Sequence, residues 1–221
     1  MQKVKLSART VQILKNFSSI NPSLLFKEGN VITTISPSRT ILASARVNEN
    51  FEADFAIYNL SRFLSVLSLF NDPELEIHDK YVTIMDGKKK LNYMFADPSN
   101  IITPPEKTID MPDPEISLSL PNEDLQNIMK ALSVLQLPEI AFVGEENNAS
   151  IQAIDSKGLV GDNCSVNLGS SDRDFKMIFK AENIKIIPDD YKVHISSKKI
   201  SKFVGSDTEY YIAVETNSSM N

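Results

Sequence analysis

Val4-Lys5-Leu6-Ser7-Ala8-Arg9-Thr10-Val11-Gln12-Ile13-Leu14-Lys15-Asn16-Phe17-Ser18-Ser19-Ile20 reads as a short strand running into a helix, and the chain repeats this plan 114 residues later. Val11, Leu14, Phe17 and Ile20, with Ile13, form one apolar stripe at helical spacing. Ser7 is placed to accept a hydrogen bond from an open amide of the first turn. The second copy begins with the strand-like Ile116-Ser117-Leu118-Ser119-Leu120. Pro121-Asn122-Glu123-Asp124 then opens a helix, with proline and acids where the free amides favour them. Leu125, Ile128, Met129, Leu132 and Leu135 supply its stripe, and Pro138 ends it. Leu6 and Leu120, Val11 and Leu125, and Leu14 and Ile128 share the one offset. A fixed offset of this kind is the mark of an internal repeat.

Working outward, each helix is followed by strands. In the first copy these are Leu24–Phe26, Val31–Ile35 and Thr40–Ala45; in the second, Ile140–Val143 and Ala149–Ile154. The plan then recurs within each half. Phe55–Tyr58 is a strand, Asn59 an N-cap, Leu60 to Phe70 a helix, and Leu75–His78, Tyr81–Met85 and Leu91–Phe95 are strands. Further on, Phe175–Phe179 is a strand, Ala181 to Ile187 a short helix stopped by Pro188, and Tyr191–Ile195, Ile200–Val204 and Tyr210–Val214 are strands. The expected architecture is α+β, with a βαβββ unit used four times, two per domain. Pro98, Pro104, Pro105, Pro112 and Pro114 crowd the stretch between, and that density continues neither a helix nor a central strand. The boundaries expected are a domain over 1–97, a connector over 98–114, serving as a tether or as something more, and a domain over 115–221.

Chemistry is harder to find. His78 and His194 have no second ligand at metal spacing. Cys164, the one cysteine, stands without a CxxC pair, and its solitude fits a reducing compartment. Gly158-Leu159-Val160-Gly161 lacks the lysine and helix of a phosphate loop. Asp189-Asp190, Glu145-Glu146 and Asp172 with Asp174 fall in expected turns, where aspartate is common for local reasons. No metal, cofactor or catalytic set is expected, and an enzyme using the acidic turns as metal ligands ranks behind an interaction protein. No apolar run approaches the roughly 20 residues that span a bilayer, and the N-terminus reads as no secretory signal.

The net charge of −6, from 23 basic and 29 acidic residues, speaks against gripping nucleic acid with the whole surface. Its distribution matters more. The four expected helices (7–19, 59–70, 122–135 and 180–187) hold six basic residues against three acidic, a net +3. The remainder holds 17 against 26, a net −9. A helix layer could therefore face a polyanion while the sheets repel it. Few positive charges give weak, sequence-independent attraction. The six basic residues of the helices are Arg9, Lys15, Arg62, Lys130, Lys180 and Lys185.

Ile13-Leu14-Lys15-Asn16-Phe17 with Ile20-Asn21, Phe55-Ala56-Ile57-Tyr58-Asn59-Leu60 with Phe63-Leu64 and Leu67-Ser68-Leu69, Asn71-Asp72, Ala96-Asp97-Pro98-Ser99, Glu123-Asp124-Leu125-Gln126 with Leu135-Gln136, Asp190-Tyr191-Lys192 and Tyr210-Tyr211-Ile212-Ala213-Val214-Glu215 carry a likeness that runs nearly end to end. Through their order and spacing the chain resembles the DNA polymerase sliding clamps, or processivity factors, of T-even-type bacteriophages. The resemblance implies the DNA-clamp (processivity) fold and a homotrimeric, pseudo-sixfold ring around duplex DNA, helices lining the hole and sheets outside. It also implies loading by an ATP-driven clamp loader, tethering of the replicative polymerase through a short C-terminal peptide, binding of a sigma-like factor in late transcription, and work in the cytoplasm of an infected bacterium. Lys15, Lys130 and Lys185 match basic positions on pore-facing helices; Arg9 and Arg62 do not, and rest on charge alone. The partner-peptide pocket would fall at Ile101, Ile102 and Val214. Lys88-Lys89-Lys90 departs from the family pattern, as a solvated hairpin tip or a second contact with DNA or loader.

Overall fold

A computed structural model of the chain describes residues 2–106, 111–158 and 161–220. Two compact units emerge, Met1–Lys107 and Thr108–Asn221. Positions 107–110 of the expected connector, and Leu159 and Val160 of the glycine-flanked stretch, lie outside the described residues.

The first unit runs β1 (Gln2–Val4), α1 (Ala8–Ile20), β2 (Leu24–Phe26), β3 (Gly29–Ile35), β4 (Ile41–Phe51), β5 (Phe55–Ile57), α2 (Leu60–Leu67), β6 (Glu74–Ile77), β7 (Tyr81–Asp86) and β8 (Lys89–Met94). Strands β1-β6-β7-β8 form an antiparallel sheet in that order, and β2 pairs with β5 and β3 with β4. Strict alternation along β4 buries Ile41, Ala43, Ala45, Val47, Glu49 and Phe51 on one side, the period-two pattern of a strand with one covered face. Helix α1 lays Ile13, Leu14, Phe17 and Ile20 into the same core and packs on both β4 and α2.

Glu49 is the polar exception on that buried face, and two donors account for it. Its carboxylate accepts the Thr10 hydroxyl at 2.5 Å and the Ser7 backbone N–H. Burial pushes its pKa up, but these hydrogen bonds more than offset that, and the group sits below the ordinary value. Ser7 in turn caps α1 by accepting from the Thr10 N–H at 3.2 Å. The start of the helix is thereby fixed to the sheet.

The second unit runs β9 (Ile116–Leu120), α3 (Asn122–Leu135), β10 (Glu139–Glu145), β11 (Asn148–Ile154), β12 (Cys164–Ser170), β13 (Phe175–Lys180), a 3₁₀ turn (Ala181–Asn183), β14 (Tyr191–Ser196), β15 (Ile200–Val204), β16 (Thr208–Ala213) and β17 (Ser219–Met220). Each pairing named in the first unit recurs in the second, which adds β10–β11 and β13–β17. Where β1 joins β6, β9 joins β14. The ladders β6–β7–β8 and β14–β15–β16 correspond. So do β2–β5 and β10–β13, and β3–β4 and β11–β12. The duplicated βαβββ plan is thus present in the hydrogen bonding, not only in the order of elements.

Several details differ from the sequence reading. The helix expected over Ala181 to Ile187 is only the 3₁₀ turn, because Ile184 leaves helical geometry at φ −84°, ψ 67°. Three β-branched isoleucines, at 184, 186 and 187, disfavour a helix, and Pro188 bars Ile187 from helical ψ. The extended path buries Ile184 and Ile187, and the Tyr191 hydroxyl donates to the Ile187 carbonyl at 2.6 Å. Strands β12 and β17, at the two edges of one sheet, were not anticipated, and the helix expected to run to Phe70 ends at Leu67. No described helix is long and apolar enough to cross a membrane.

Candidate nucleic-acid interface

The exposed side of the helices carries cations. On α1, Gln12, Lys15 and Ser19 are exposed; on α2, Ser61, Arg62 and Ser65, followed by the exposed Ser68 of its C-cap. Neither helix contains an acid. Asn59 caps α2 through its side-chain oxygen, which accepts the Arg62 backbone N–H at 2.8 Å. That bond sets the first turn from which the exposed Arg62 side chain projects. Arg9 is half-buried and donates to Gln12 Oε1 at 2.9 Å.

The hydroxyls between these cations turn inward. Ser18 donates to the Lys15 carbonyl at 2.7 Å and Ser19 to the Asn16 carbonyl at 2.6 Å. Ser65 donates to Ser61 at 2.9 Å and Ser68 to Ser65 at 2.7 Å. Their protons are used within the chain, so the face offers long, flexible cations more than fixed neutral donors. Charge counting found the cations and missed these serines; their three- and four-residue spacing on the polar side was the available signal.

In the second unit Lys130 is exposed on α3, but Glu123 and Asp124 occupy the first turn of the same helix. Lys185 follows the 3₁₀ turn and is half-buried. Asp190 is accounted for structurally: its carboxylate accepts the Asn122 N–H at 2.8 Å, at the start of α3. Asp189 accepts the N–H and hydroxyl of Ser206.

The pocket candidates divide between the units. Ile101 is half-buried and Ile102 exposed, just after a 3₁₀ turn over Pro98–Asn100. The buried side chain of Asn21 donates to the carbonyls of Ile102 at 3.0 Å and Ile35 at 2.9 Å. It thereby fastens the first connector residues to the end of α1. Val214 is buried in the second unit, its N–H donating to the Lys199 carbonyl at 3.1 Å.

The lysine run sits at the β7–β8 turn. Lys89 donates to the Leu69 carbonyl at 2.8 Å and lies 5.7 Å from the Phe70 ring centroid. Asp86 accepts the N–H groups of Asn71 and Asp72, which hold its pKa below the ordinary value. Lys89 therefore docks the tip on the segment after α2, while Lys88 and Lys90 are exposed. His78 stacks on Tyr81 with centroids 4.4 Å apart, and His194 Nδ1 lies 2.9 Å from the Ser117 hydroxyl. Cys164 is half-buried. Among the described residues no group of three His, Cys, Asp or Glu side chains is placed to hold a metal.

Among the lowered carboxylates, Glu115 offers a testable pH dependence. Glu115 accepts the Ser197 hydroxyl at 2.6 Å and the Ser197 N–H at 3.0 Å, and these bonds lower its pKa from the ordinary 4.5 to about 2. A depressed carboxyl stabilises the fold above its unfolded value and loses that contribution as pH falls towards its folded one. Glu115→Gln is expected to lower the melting temperature at pH 7 by only about 1–2 °C, since the group is near solvent. The deficit should shrink between pH 4.5 and about 2. Melting curves across that range check it, and a deficit constant with pH contradicts it.

Residues 5–103 match the family described as DNA polymerase processivity factor, and residues 117–216 match that described as gp45 sliding clamp, C terminal. The sliding clamp of Vibrio phage KVP40 is 35% identical over 96% of this chain and 99% of its own length. That of Escherichia phage RB69 is 33% identical over 97% and 98%. Among solved structures, A. fulgidus PCNA, with the C-terminal region of FEN-1 bound to it, is similar at a TM-score of 0.74 and 12% identity, over 99% of this chain and 100% of that one. At that identity the likeness is one of fold.

Proposed function

The chain belongs to the sliding-clamp family of DNA polymerase processivity factors, and from that premise we propose that three copies close head to tail into a ring around duplex DNA. The observation that carries this reading is the duplication. The ladders of the first unit recur in the second, so one chain would supply two similar segments of a closed circle. Strand β8 ends the sheet of the first unit and β12 that of the second, and edges of this kind call for partners. A heterologous contact whose rotation closes satisfies every such edge at once. Helices would face the hole, where their cations meet phosphate, and the acidic sheets would face outward.

A ring of this kind needs no catalytic group. It needs an opener and a client. An ATP-driven loader would open it, and the replicative polymerase would hold it through a short C-terminal peptide, as A. fulgidus PCNA holds a C-terminal region of its partner. The peptide would settle against Ile101, Ile102 and Val214, beside a connector over 98–114 that joins domains over 1–97 and 115–221. A late-transcription role through a sigma-like factor, and residence in the host cytoplasm, complete the reading. Light scattering should return about three times 24.7 kDa. Loader and ATP together, with the cognate polymerase, should lengthen products made in one binding event by tenfold or more. A strict monomer at micromolar concentration, or products of unchanged length, would overturn the proposal.

A further inference from the structure

The two units do not present equal faces to a polyanion, and we infer that the duplex is contacted chiefly through the α1–α2 pair of the first unit. This rests on the ring reading above. The first unit has two α-helices packed on each other, carrying Arg9, Lys15 and Arg62 and no acid. Its helix set is therefore +3. In the second unit α3 carries Lys130 against Glu123 and Asp124, a net −1. The counterpart of α2 is not an α-helix at all; the stretch 180–187 holds Lys180 and Lys185 against Glu182, a net +1. The second set sums to zero. The polar side of α3 also bears Val134, 78% exposed, one turn beyond Lys130, where it offers phosphate nothing.

Phosphate affinity follows the number of charges neutralised, each contributing about 0.9 to the slope of log affinity against log salt. Ser18, Ser19, Ser65 and Ser68 beside these cations have already spent their hydroxyl protons on helix carbonyls. The first unit thus attracts through mobile cations, and the second adds little. Within a threefold ring the duplex would ride on three such faces, with three near-neutral faces between them.

The test compares two double variants of the full chain, all four side chains being exposed. A fluorescent duplex oligonucleotide is titrated by anisotropy at several salt concentrations. Lys15→Gln with Arg62→Gln is expected to weaken binding about tenfold or more at low salt and to flatten the salt slope by about 2. Lys130→Gln with Lys180→Gln should weaken it less than about threefold. Lys15→Arg with Arg62→Lys should restore parental binding, separating charge from local packing. Equal weakening by the two doubles, or no weakening by either, would overturn the assignment even with the trimer intact. A parent protein whose binding shows no salt dependence would likewise overturn the assignment, while the ring reading stands or falls separately on the mass by light scattering.

Discussion

Replacing Phe26 with alanine is expected to cost about 3–5 kcal/mol of folding stability, the range for deleting a large buried aromatic. Phe26 ends β2, is 1% exposed, and stands in register opposite Phe55. Its ring stacks on Phe55 with centroids 4.5 Å apart and meets the edge of Phe51 at 5.1 Å. Phe95 stacks on the far side of Phe55 at 4.9 Å. Removing the first ring therefore loosens a chain of four and opens a cavity at the β2–β5 ladder. Stabilities of 5–15 kcal/mol are usual for a whole domain, so the first unit would be left close to its unfolding threshold. For a segment of this size the melting temperature should fall by about 15 °C or more. Calorimetry would show it, with Phe26→Leu intermediate. A fall below about 3 °C would mean that the cluster does not hold the unit together. The second unit has its own cluster, Phe142, Phe179 and Phe203, with centroids about 6 Å apart and all edge-on. If the units melt separately, only the first transition should move.

The helices were legible in the sequence because their stripes are made of residues with one plausible use. Ile13, Leu14, Phe17 and Ile20, and later Leu125, Ile128 and Leu132, point one way at helical spacing and are buried. Ile184, Ile186 and Ile187 are ambiguous: spacing admits a helix, while β-branching and Pro188 favour the extended path that tertiary packing selects. Strand β12 was hidden for another reason. Cys164, Val166 and Leu168 alternate correctly but are only half-buried, and the residues between them are small and polar, so an edge strand resembles a loop. At the candidate interface the sign of the helix charge could be counted from residues alone. Its accessibility could not, since Arg9 and Lys185 share their residue type with the exposed cations and are half-buried by their neighbours. The inward turn of Ser18, Ser19, Ser65 and Ser68 likewise depends on rotamers that no spacing rule fixes.

Cutting the DNA is expected to release a loaded ring almost completely, the largest functional effect the proposed topology implies. The cations available are few, and the intervening hydroxyls are bonded within the helices. At about 0.5 M salt the screening length is only about 4 Å, and attraction that depends on counterion release falls steeply. Contact energy alone then leaves almost no protein on DNA. A closed ring on a closed circle is held by neither term: the duplex cannot leave sideways, and residence is set by how often a subunit contact opens. Protein loaded on a nicked circular plasmid with loader and ATP should therefore coelute with it through gel filtration at that salt. After a single restriction cut, sliding carries the ring to an end, and more than about nine-tenths should be lost within minutes. The double substitution at Lys15 and Arg62 should leave retention on the circle intact, because those side chains set attraction and not enclosure. Equal retention on circular and linear DNA would show that contact, not topology, holds the protein. Loss from both at high salt would show that the ring opens faster than the column runs, and would place the limiting stability at the subunit contact.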